Sequence, residues 1–288
     1  MQKTILAFTI FLLLGISCQT STNSDTGNNT KQSEGKLFII GGGKKPAAML
    51  QDLADISGIN EEGYTVVLPM SSSSPDSSGM WIKEDLKKVG VSNIHIFNLQ
   101  TEDEMTTEKL DSVKNAGMIY LTGGSQKRFM EIAHNTPLTE AIQHAYKSGA
   151  TIAGTSAGAA VMSKKMITGD ELKHPEYTGN FRTIEANNIV IEPGLGLLDN
   201  VIVDQHFIER MRMNRLIAAV LENPEQLGIG IDESTAILVK DKEAEVYGVG
   251  QVLVLKNTEK ESKVKDGLLG GKNLEMSIYL PGESFKIK

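Results

Sequence analysis

Cysteine is nearly absent from this chain of 288 residues. The single cysteine, Cys18, has no second thiol to pair with, so no internal disulfide is possible and the folded part has no cysteine nucleophile. Metal-binding patterns are missing as well, because the five histidines are scattered without an H-E-x-x-H motif or cysteine ligands. The glycine run at 41–43 does not fit G-x-G-x-x-G, so no dinucleotide site is assigned. We therefore expect neither a metal ion nor another cofactor.

An excess of basic residues is also lacking. The chain has 29 Lys and Arg against 36 Asp and Glu, for a formal net charge of −7. This balance argues against nucleic acid as a partner.

Apolar runs long enough to cross a bilayer are missing too. The run from Ile5 to Ile16, which follows Lys3, has instead the size of a signal-peptide core. The run ends at Ser17-Cys18, as at a bacterial lipoprotein processing site, so we expect 1–18 to be a signal peptide with lipid on Cys18. A signal peptide cut nearby and an uncut anchor are the alternatives. Each predicts an exported protein of the bacterial envelope, periplasmic or associated with the outer membrane and touching the membrane only through its N-terminus.

Residues 19–36 are rich in Ser, Thr, Asn and Asp and contain no aromatic residue, which predicts a flexible tether. Residues 37–288 are long enough for one large domain.

Short apolar runs alternate with helical patterns through most of this domain, which predicts an α/β fold with a mostly parallel sheet flanked by helices. We predict strands at 37–40, 64–68, 94–99, 118–121, 150–153, 189–192, 201–203 and 227–231. We predict helices at 46–56, 80–89, 107–115, 129–134, 138–147 and 211–221. From residue 235 the pattern changes to strands and Gly turns, through 247–255 and 276–280, which predicts an antiparallel C-terminal extension.

Two polar segments interrupt this pattern. Residues 71–78 follow a strand, where α/β proteins place ligand loops, although a solvated loop fits equally well. Residues 164–186 have no clear period and predict either a lid or a plain surface excursion.

The sequence Gly154-Thr155-Ser156-Ala157-Gly158 is a G-x-S-x-G pattern between an apolar strand and a run of small residues. A strand–turn–helix of this kind exposes a serine hydroxyl as a nucleophile, with the amide of the following residue as an oxyanion donor. The two glycines allow a sharp bend and close helix packing. The alternative is that Ser156 is a helix N-cap and the glycines form only a turn.

Two further chemical groups follow predicted strands. His206 comes after the strand at 201–203, and Asp232 and Glu233 come after the strand at 227–231. The carboxyl ends of parallel strands share one rim, so a serine, a base and an orienting acid can meet there. Neighbouring residues on a strand point to opposite sides, and the sequence does not choose between Asp232 and Glu233. The order Ser, His, acid differs from the Ser, acid, His order of the α/β-hydrolases.

Four motifs in order resemble those of cyanophycinase and its relatives, serine peptidases on a class I glutamine-amidotransferase-like fold with a flavodoxin-like wrap. The motifs are Gly123-Gly124-Ser125-Gln126, Gly154 to Ala159, Asp204-Gln205-His206-Phe207 with the arginines after it, and Gly230 to Ala236. The resemblance implies Ser156 as nucleophile, His206 as base and then acid, and Glu233 as the orienting acid. It implies the amides of Gly124 and Ala157 as oxyanion donors. It assigns substrate contacts to Gln126, Asp204, Gln205, Arg210, Arg212 and Arg215.

The resemblance further implies release of β-aspartyl-arginine units from a poly-aspartate polymer decorated with arginine, and a homodimer. Arginine forks suit the carboxylates of such a substrate. The alternative for the three arginines is a solvated basic helix in which Glu209 pairs with Arg212. We expect an exported serine peptidase hydrolysing β-aspartyl-arginine or isoaspartyl amide bonds. The alternative enzyme is an α-aspartyl dipeptidase. The alternative from another class is a surface binding lipoprotein without catalytic activity.

Overall fold

The computed structural model describes residues 35–176 and 181–287, which belong to one compact unit. The predicted signal peptide, Cys18 and the predicted tether up to residue 34 lie outside the described residues. Lys36 is not part of a tether, since its backbone N–H donates to the Ala150 carbonyl at 3.2 Å and it begins the first strand.

The described residues form sixteen strands and seven α-helices. The strands are β1 (Lys36–Ile40), β2 (Thr65–Leu68), β3 (Ile94–Ile96), β4 (Met118–Leu121), β5 (Thr151–Thr155), β6 (Lys165–Glu171), β7 (Ile189–Pro193), β8 (Val201–Gln205), β9 (Leu227–Ile231), β10 (Thr235–Lys240), β11 (Glu243–Gly248), β12 (Val252–Asn257), β13 (Lys263–Lys265), β14 (Leu268–Gly270), β15 (Leu274–Tyr279) and β16 (Ser284–Lys286). The helices are α1 (Ala47–Ser57), α2 (Pro75–Lys88), α3 (Thr107–Lys114), α4 (Gln126–Ala133), α5 (Pro137–Lys147), α6 (Ala157–Ala160) and α7 (Met213–Glu222).

The larger sheet has eight strands in the order β16-β11-β10-β1-β5-β4-β2-β3. Strands β1, β5, β4, β2 and β3 are parallel, and β10, β11 and β16 continue the sheet antiparallel. Strands β2, β4 and β5 at its centre are buried at every position because both faces are covered. In β1, Phe38 packs with α1 and α2 on one face, whereas Ile39 packs with α3, α4 and α5 on the other. The predicted α/β fold with a mostly parallel sheet between helices is confirmed.

A second sheet has four strands in the order β15-β12-β9-β8. Strands β8 and β9 are parallel, β12 is antiparallel to β9, and β15 is antiparallel to β12. Val203 and Ile229 join the core of the larger sheet, whereas Ile202 on the opposite face packs with Leu216 of α7. The expectation of one shared sheet rim is therefore wrong, because the strands that precede His206 and Glu233 belong to this second sheet.

The polar segments were predicted poorly. The loop expected at 71–78 is short, since Pro75 occupies the first turn of α2, where its missing N–H costs nothing. The first part of the segment 164–186 is neither a lid nor an irregular surface loop. It forms β6, which pairs antiparallel with β7 and buries Met166 and Ile167. Residues 177–180 lie outside the described residues.

The C-terminal extension is antiparallel, as expected, but it is divided between the sheets. Within 247–255, where strands and Gly turns are predicted, β11 ends at Gly248 and β12 begins at Val252 in the other sheet. The predicted helix 211–221 begins two residues later, at Met213. No helix within the described ranges has the length and apolar content needed to cross a membrane.

Candidate active site

Ser156 lies in a strained turn between β5 and α6, with φ 54° and ψ −112°. Residues other than glycine rarely adopt positive φ, and strain of this kind is concentrated at functional sites. The flanking glycines make the turn possible. A Cβ on Gly154 would lie 2.3 Å from the Gly158 carbonyl oxygen, and a Cβ on Gly158 would lie 2.3 Å from that of Leu121. Helix α6 can therefore press against β4 and β5 only with glycine at both positions.

The Ser156 hydroxyl, the His206 imidazole and the Glu233 carboxylate form a continuous chain of hydrogen bonds. Ser156 Oγ lies 2.8 Å from His206 Nε2, and His206 Nδ1 lies 2.5 Å from Glu233 Oε1. Glu233 is an acceptor when ionised, so Nδ1 carries the proton and donates it. Nε2 is then the acceptor for the serine hydroxyl, which is the tautomer that a general base requires.

Asp232 has a different set of partners. Its Oδ1 accepts hydrogen bonds from the backbone N–H groups of Ile208 and Glu209 at 3.1 and 3.0 Å. This carboxylate caps the turn that follows His206, and Glu233 is the acid that reaches the imidazole. The geometry thus separates the two acids that the sequence left open.

The end of β1 holds all three segments together. Ser156 N–H donates to the Ile40 carbonyl at 3.0 Å, and His206 N–H donates to the Gly41 carbonyl at 2.8 Å. The next carbonyl, that of Gly42, accepts from Ser234 N–H at 2.9 Å, directly after Glu233. Three consecutive carbonyls therefore position a serine from the larger sheet and a histidine and glutamate from the smaller one.

Gly42 and Gly43 also form the surface against which the base and the acid pack. A Cβ on Gly42 would lie 2.3 Å from His206 Cε1, and one on Gly43 would lie 2.5 Å from Glu233 Oε2. Their positive φ values, 123° and 67°, add to the need for glycine. No role in catalysis was predicted for these glycines from the sequence. The signal available was a glycine run at the end of a buried strand that fits no phosphate-binding pattern.

The environment of His206 favours the neutral imidazole. Burial lowers the pKa of His206 below its ordinary value, the hydrogen bond to Glu233 opposes this, and the positive charges of Arg210 and Arg212 lower it further. A neutral imidazole can accept the proton of Ser156 near neutral pH.

The turn after β4 borders the serine on its other side. A Cβ on Gly123 would lie 3.3 Å from Ser156 Cβ, so this turn touches the nucleophile. It is held by the Ser71 carbonyl, which accepts from Ser125 N–H at 2.8 Å and from Arg128 Nη1 at 3.0 Å. The backbone N–H groups of Gly124 and Ala157 have no acceptor among residues 35–176 and 181–287. Their role as oxyanion donors stays a prediction that this arrangement allows.

A buried charged cluster lies beneath His206. Asp204 is fully buried and accepts from Arg215 Nε at 2.7 Å and from Arg215 Nη2. Arg212 Nη1 donates to the Gln205 backbone oxygen at 2.5 Å and to its side-chain Oε1 at 3.0 Å. Arg215 also stacks on Phe181, with Cζ 4.5 Å from the ring centroid. The alternative of a solvated basic helix with Glu209 paired to Arg212 is therefore wrong, because Arg212 and Arg215 are buried.

Of the remaining residues assigned to substrate contact, Gln126 is buried and Arg210 is exposed. Gln126 is buried, and its Nε2 donates to the Ile167 and Thr168 carbonyls at 2.9 and 2.6 Å. Arg210 is exposed in the turn before α7. Direct contact with substrate stays a prediction for all six residues. In the described residues Gln126, Asp204, Gln205, Arg212 and Arg215 bond to one another or to the backbone.

Metal-ligand clusters of three or more His, Cys, Asp or Glu side chains do not occur in the part of the chain that the structure describes. The chemistry available at the site is that of a serine, an imidazole and a carboxylate.

Comparison with known proteins gives consistent matches. The profile of Peptidase family S51 matches residues 37–247. A protein named cyanophycinase from Nostoc sp. is 35% identical over 201 residues, which cover 69% of this chain and 65% of that protein, slightly under two thirds of its length. One of the same name from Geminocystis herdmanii is 34% identical over 230 residues, covering 76% of this chain and 79% of that protein. The crystal structure of a peptidase from an acI-B1 actinobacterium has a TM-score of 0.64 at 24% identity, with 88% of this chain and 97% of that chain covered.

Proposed function

Because the chain belongs to peptidase family S51, we propose that it is a serine peptidase that hydrolyses β-aspartyl-arginine or isoaspartyl amide bonds. The observation that carries this proposal is the chain of hydrogen bonds from Ser156 through His206 to Glu233, built on a strained strand–turn–helix. A serine that is only an N-cap needs no imidazole 2.8 Å from its hydroxyl.

In the first half of the reaction, Ser156 Oγ attacks the carbonyl carbon of the substrate while His206 Nε2 takes the hydroxyl proton. Glu233 stabilises the imidazolium that forms. The oxyanion develops between the N–H groups of Gly124 and Ala157, which are preorganised at the turn after β4 and the start of α6. The imidazolium then protonates the leaving amine, and the C–N bond breaks to leave an acyl-enzyme.

In the second half, His206 takes a proton from water as the water oxygen attacks the acyl carbon. Collapse of the second tetrahedral intermediate returns the proton to Ser156 Oγ and releases the carboxylic acid. Every proton passes through Nε2, which is why a fixed tautomer of His206 matters.

The preference for an aspartyl substrate is supported by a positive group beside the base. Arg210 is exposed, and its charge lowers the pKa of His206. The guanidinium groups of Arg212 and Arg215 are buried and bonded to Gln205 and Asp204. Guanidinium groups bind carboxylates in two-pronged fashion. The relatives named cyanophycinase support the same substrate class, and we propose an arginine-decorated poly-aspartate or a peptide of similar chemistry.

The test is digestion of cyanophycin by the full-length protein, with identification of the products by mass spectrometry. We expect β-aspartyl-arginine dipeptide, and no product from Ser156→Ala at unchanged thermal stability. Cleavage of α-aspartyl dipeptides alone would transfer the assignment to an α-aspartyl dipeptidase. Saturable binding of substrate without turnover would instead support a catalytically inactive binding protein.

We also propose export and lipid attachment at Cys18, supported by the apolar run Ile5 to Ile16, which ends two residues before it. Metabolic labelling with a radioactive fatty acid tests this. Label is expected on the wild type and absent from Cys18→Ser, whereas equal labelling of both would contradict the proposal. A homodimer, proposed from the family resemblance alone, is tested by light scattering of the purified protein, where the mass of a single chain would contradict it.

A further inference from the structure

The single tryptophan of the chain, Trp81, is exposed on α2. It is 70% exposed, and no ring or cation lies against its indole within residues 35–176 and 181–287. Tryptophan is highly buried on average, because its ring has a large apolar surface. A ligand that covers this ring would therefore gain contact area that the folded chain leaves in water.

A hydrogen bond connects α2 to the turn that borders the catalytic serine. Ser78 Oγ of α2 lies 3.4 Å from Thr122 Oγ1. Thr122 directly precedes Gly123, where a Cβ would lie 3.3 Å from Ser156 Cβ. Trp81 is three residues after Ser78, and residues with this spacing are neighbours on a helix surface. Helical side chains also tilt toward the helix N-terminus, so the indole covers the turn that contains Ser78, at the end of α2 nearest the active site.

A short substrate does not reach from the serine to this ring. Gly79 of α2 packs on β3, since a Cβ there would lie 2.8 Å from Ile96 Cγ2. Strand β3 is three strand positions from β5, which at about 4.8 Å per strand is about 14 Å. One extended residue spans at most about 3.6 Å. Trp81 can therefore contact only a substrate that extends several residues beyond the bond held at Ser156.

The ring, and not an unpaired charge, is the feature that this part of α2 offers to a ligand. The carboxylates one turn beyond Trp81 already have partners. Glu84 pairs with Lys87 at 2.9 Å. Asp85 pairs with Lys88 at 2.8 Å. The face of an indole attracts cations, and the planar guanidinium group also stacks on it. A poly-aspartate decorated with arginine presents such a group at every unit.

We propose that Trp81 is an accessory binding site, where a guanidinium group of the substrate polymer stacks on the indole while another unit lies at Ser156. This inference rests on the proposed function and extends it to the length of the substrate. A polymer held at a second point stays near the catalytic serine between cleavages, because its effective local concentration there is high. The accessory site therefore favours long chains over short fragments.

The first experiment is a fluorescence titration of the full-length Ser156→Ala protein, which does not consume its ligand. Because Trp81 is the only tryptophan, its emission reports this site alone. We expect a saturable change in emission with soluble cyanophycin, and none with poly-aspartate, which lacks the guanidinium groups. A fragment of two β-aspartyl-arginine units should bind at the catalytic site without changing the emission.

Steady-state kinetics provides the second experiment. Trp81→Ala should raise KM for cyanophycin about two- to fivefold at unchanged kcat, the ratio that one exposed contact between a cation and a ring produces. Both constants for the two-unit fragment should stay the same. Trp81→Phe keeps a ring and should restore part of the affinity. Met276→Ala, at an exposed apolar position on β15 in the smaller sheet, is the matched control and should change nothing.

The proposal is overturned if cyanophycin leaves the emission of Trp81 unchanged, or if Trp81→Ala raises KM equally for both substrates. It is also overturned if the emission shifts with protein concentration alone, because a second copy of the chain would then cover the ring. Absence of cleavage by the wild type would instead contradict the proposed function, and the titration of Ser156→Ala would still decide whether Trp81 binds the polymer.

Discussion

Glu233 and Asp232 are neighbours in the chain but bind different partners. Glu233 Oε1 accepts from His206 Nδ1 at 2.5 Å, whereas Asp232 Oδ1 accepts from two backbone N–H groups of the following turn. One carboxylate therefore controls the charge and tautomer of the base, and the other fixes the backbone around it.

The two acids predict a ranked pair of variants. Glu233→Gln should lower kcat/KM by about 10³–10⁴-fold, because an amide cannot stabilise the imidazolium or fix its tautomer. Asp232→Asn keeps an acceptor oxygen for Ile208 and Glu209 and should cost far less. Steady-state kinetics on the digested substrate measures both, with circular dichroism as the control for folding. The reverse ranking would show that Asp232 is the orienting acid.

Gly42 provides a test of how closely the base is held. Gly42→Ala places a methyl group within 2.3 Å of the His206 ring, so the ring must move. Misplacement of a catalytic group by about 1 Å costs on the order of 10²-fold in rate. Gly58→Ala is the control, since Gly58 also has positive φ (68°) but has open space around it. That variant should lose some stability and keep full kcat, and equal kinetics for the two would refute the packing argument.

The pH dependence follows from the state of His206. Only the neutral imidazole accepts the serine proton, and its pKa is below the ordinary histidine value. Reaction of Ser156 with a fluorophosphonate should therefore stay fast on lowering the pH through that ordinary value and decline only below it.

Arg210 offers a charge variant for the same profile. Arg210→Gln removes a positive charge that disfavours the imidazolium, so the pKa of His206 rises and the acid limb moves to higher pH. Lys147→Gln on α5 should leave the profile unchanged. A shift to lower pH would contradict the assigned sign.

The buried pair of Asp204 and Arg215 predicts a large loss of stability on disruption. Asp204→Asn leaves a guanidinium buried without its carboxylate, which costs about 3–5 kcal/mol in the free energy of unfolding. Glu84→Gln breaks an exposed pair with Lys87 and should cost far less, because solvent screens that pair. Urea denaturation compares the two. If Asp204→Asn kept full stability and lost only substrate affinity, Asp204 would be a substrate contact rather than a support.

Much of this arrangement could be predicted from local sequence. Apolar runs such as 37–40 and 118–121 are strands because both faces of the sheet are covered, and G-x-S-x-G is specific once a strand precedes it. The position of His206 and Glu233 in a second sheet could not be predicted. Parallel strands look alike in sequence whichever sheet they join, and the pairing of β9 with β12 rather than β1 depends on contacts distant in the chain.

The structure of the polar segments could not be predicted for a related reason. In 164–186, Met166 and Ile167 are too few to produce a periodic pattern, although pairing with β7 makes a strand of them. The arginines after His206 carry charge that normally indicates a solvated surface, and only tertiary structure brings Asp204 to Arg215.

The three consecutive carbonyls at the end of β1 determine when during synthesis the active site can assemble. The ribosome makes Ile40, Gly41 and Gly42 early, but the last amide that bonds to them belongs to Ser234. Once residue 160 has emerged, a nascent chain contains the turn that holds Ser156, but it still lacks both His206 and Glu233. Cleavage of substrate should therefore begin only after slightly more than four fifths of the polypeptide, up to Ser234, has left the tunnel.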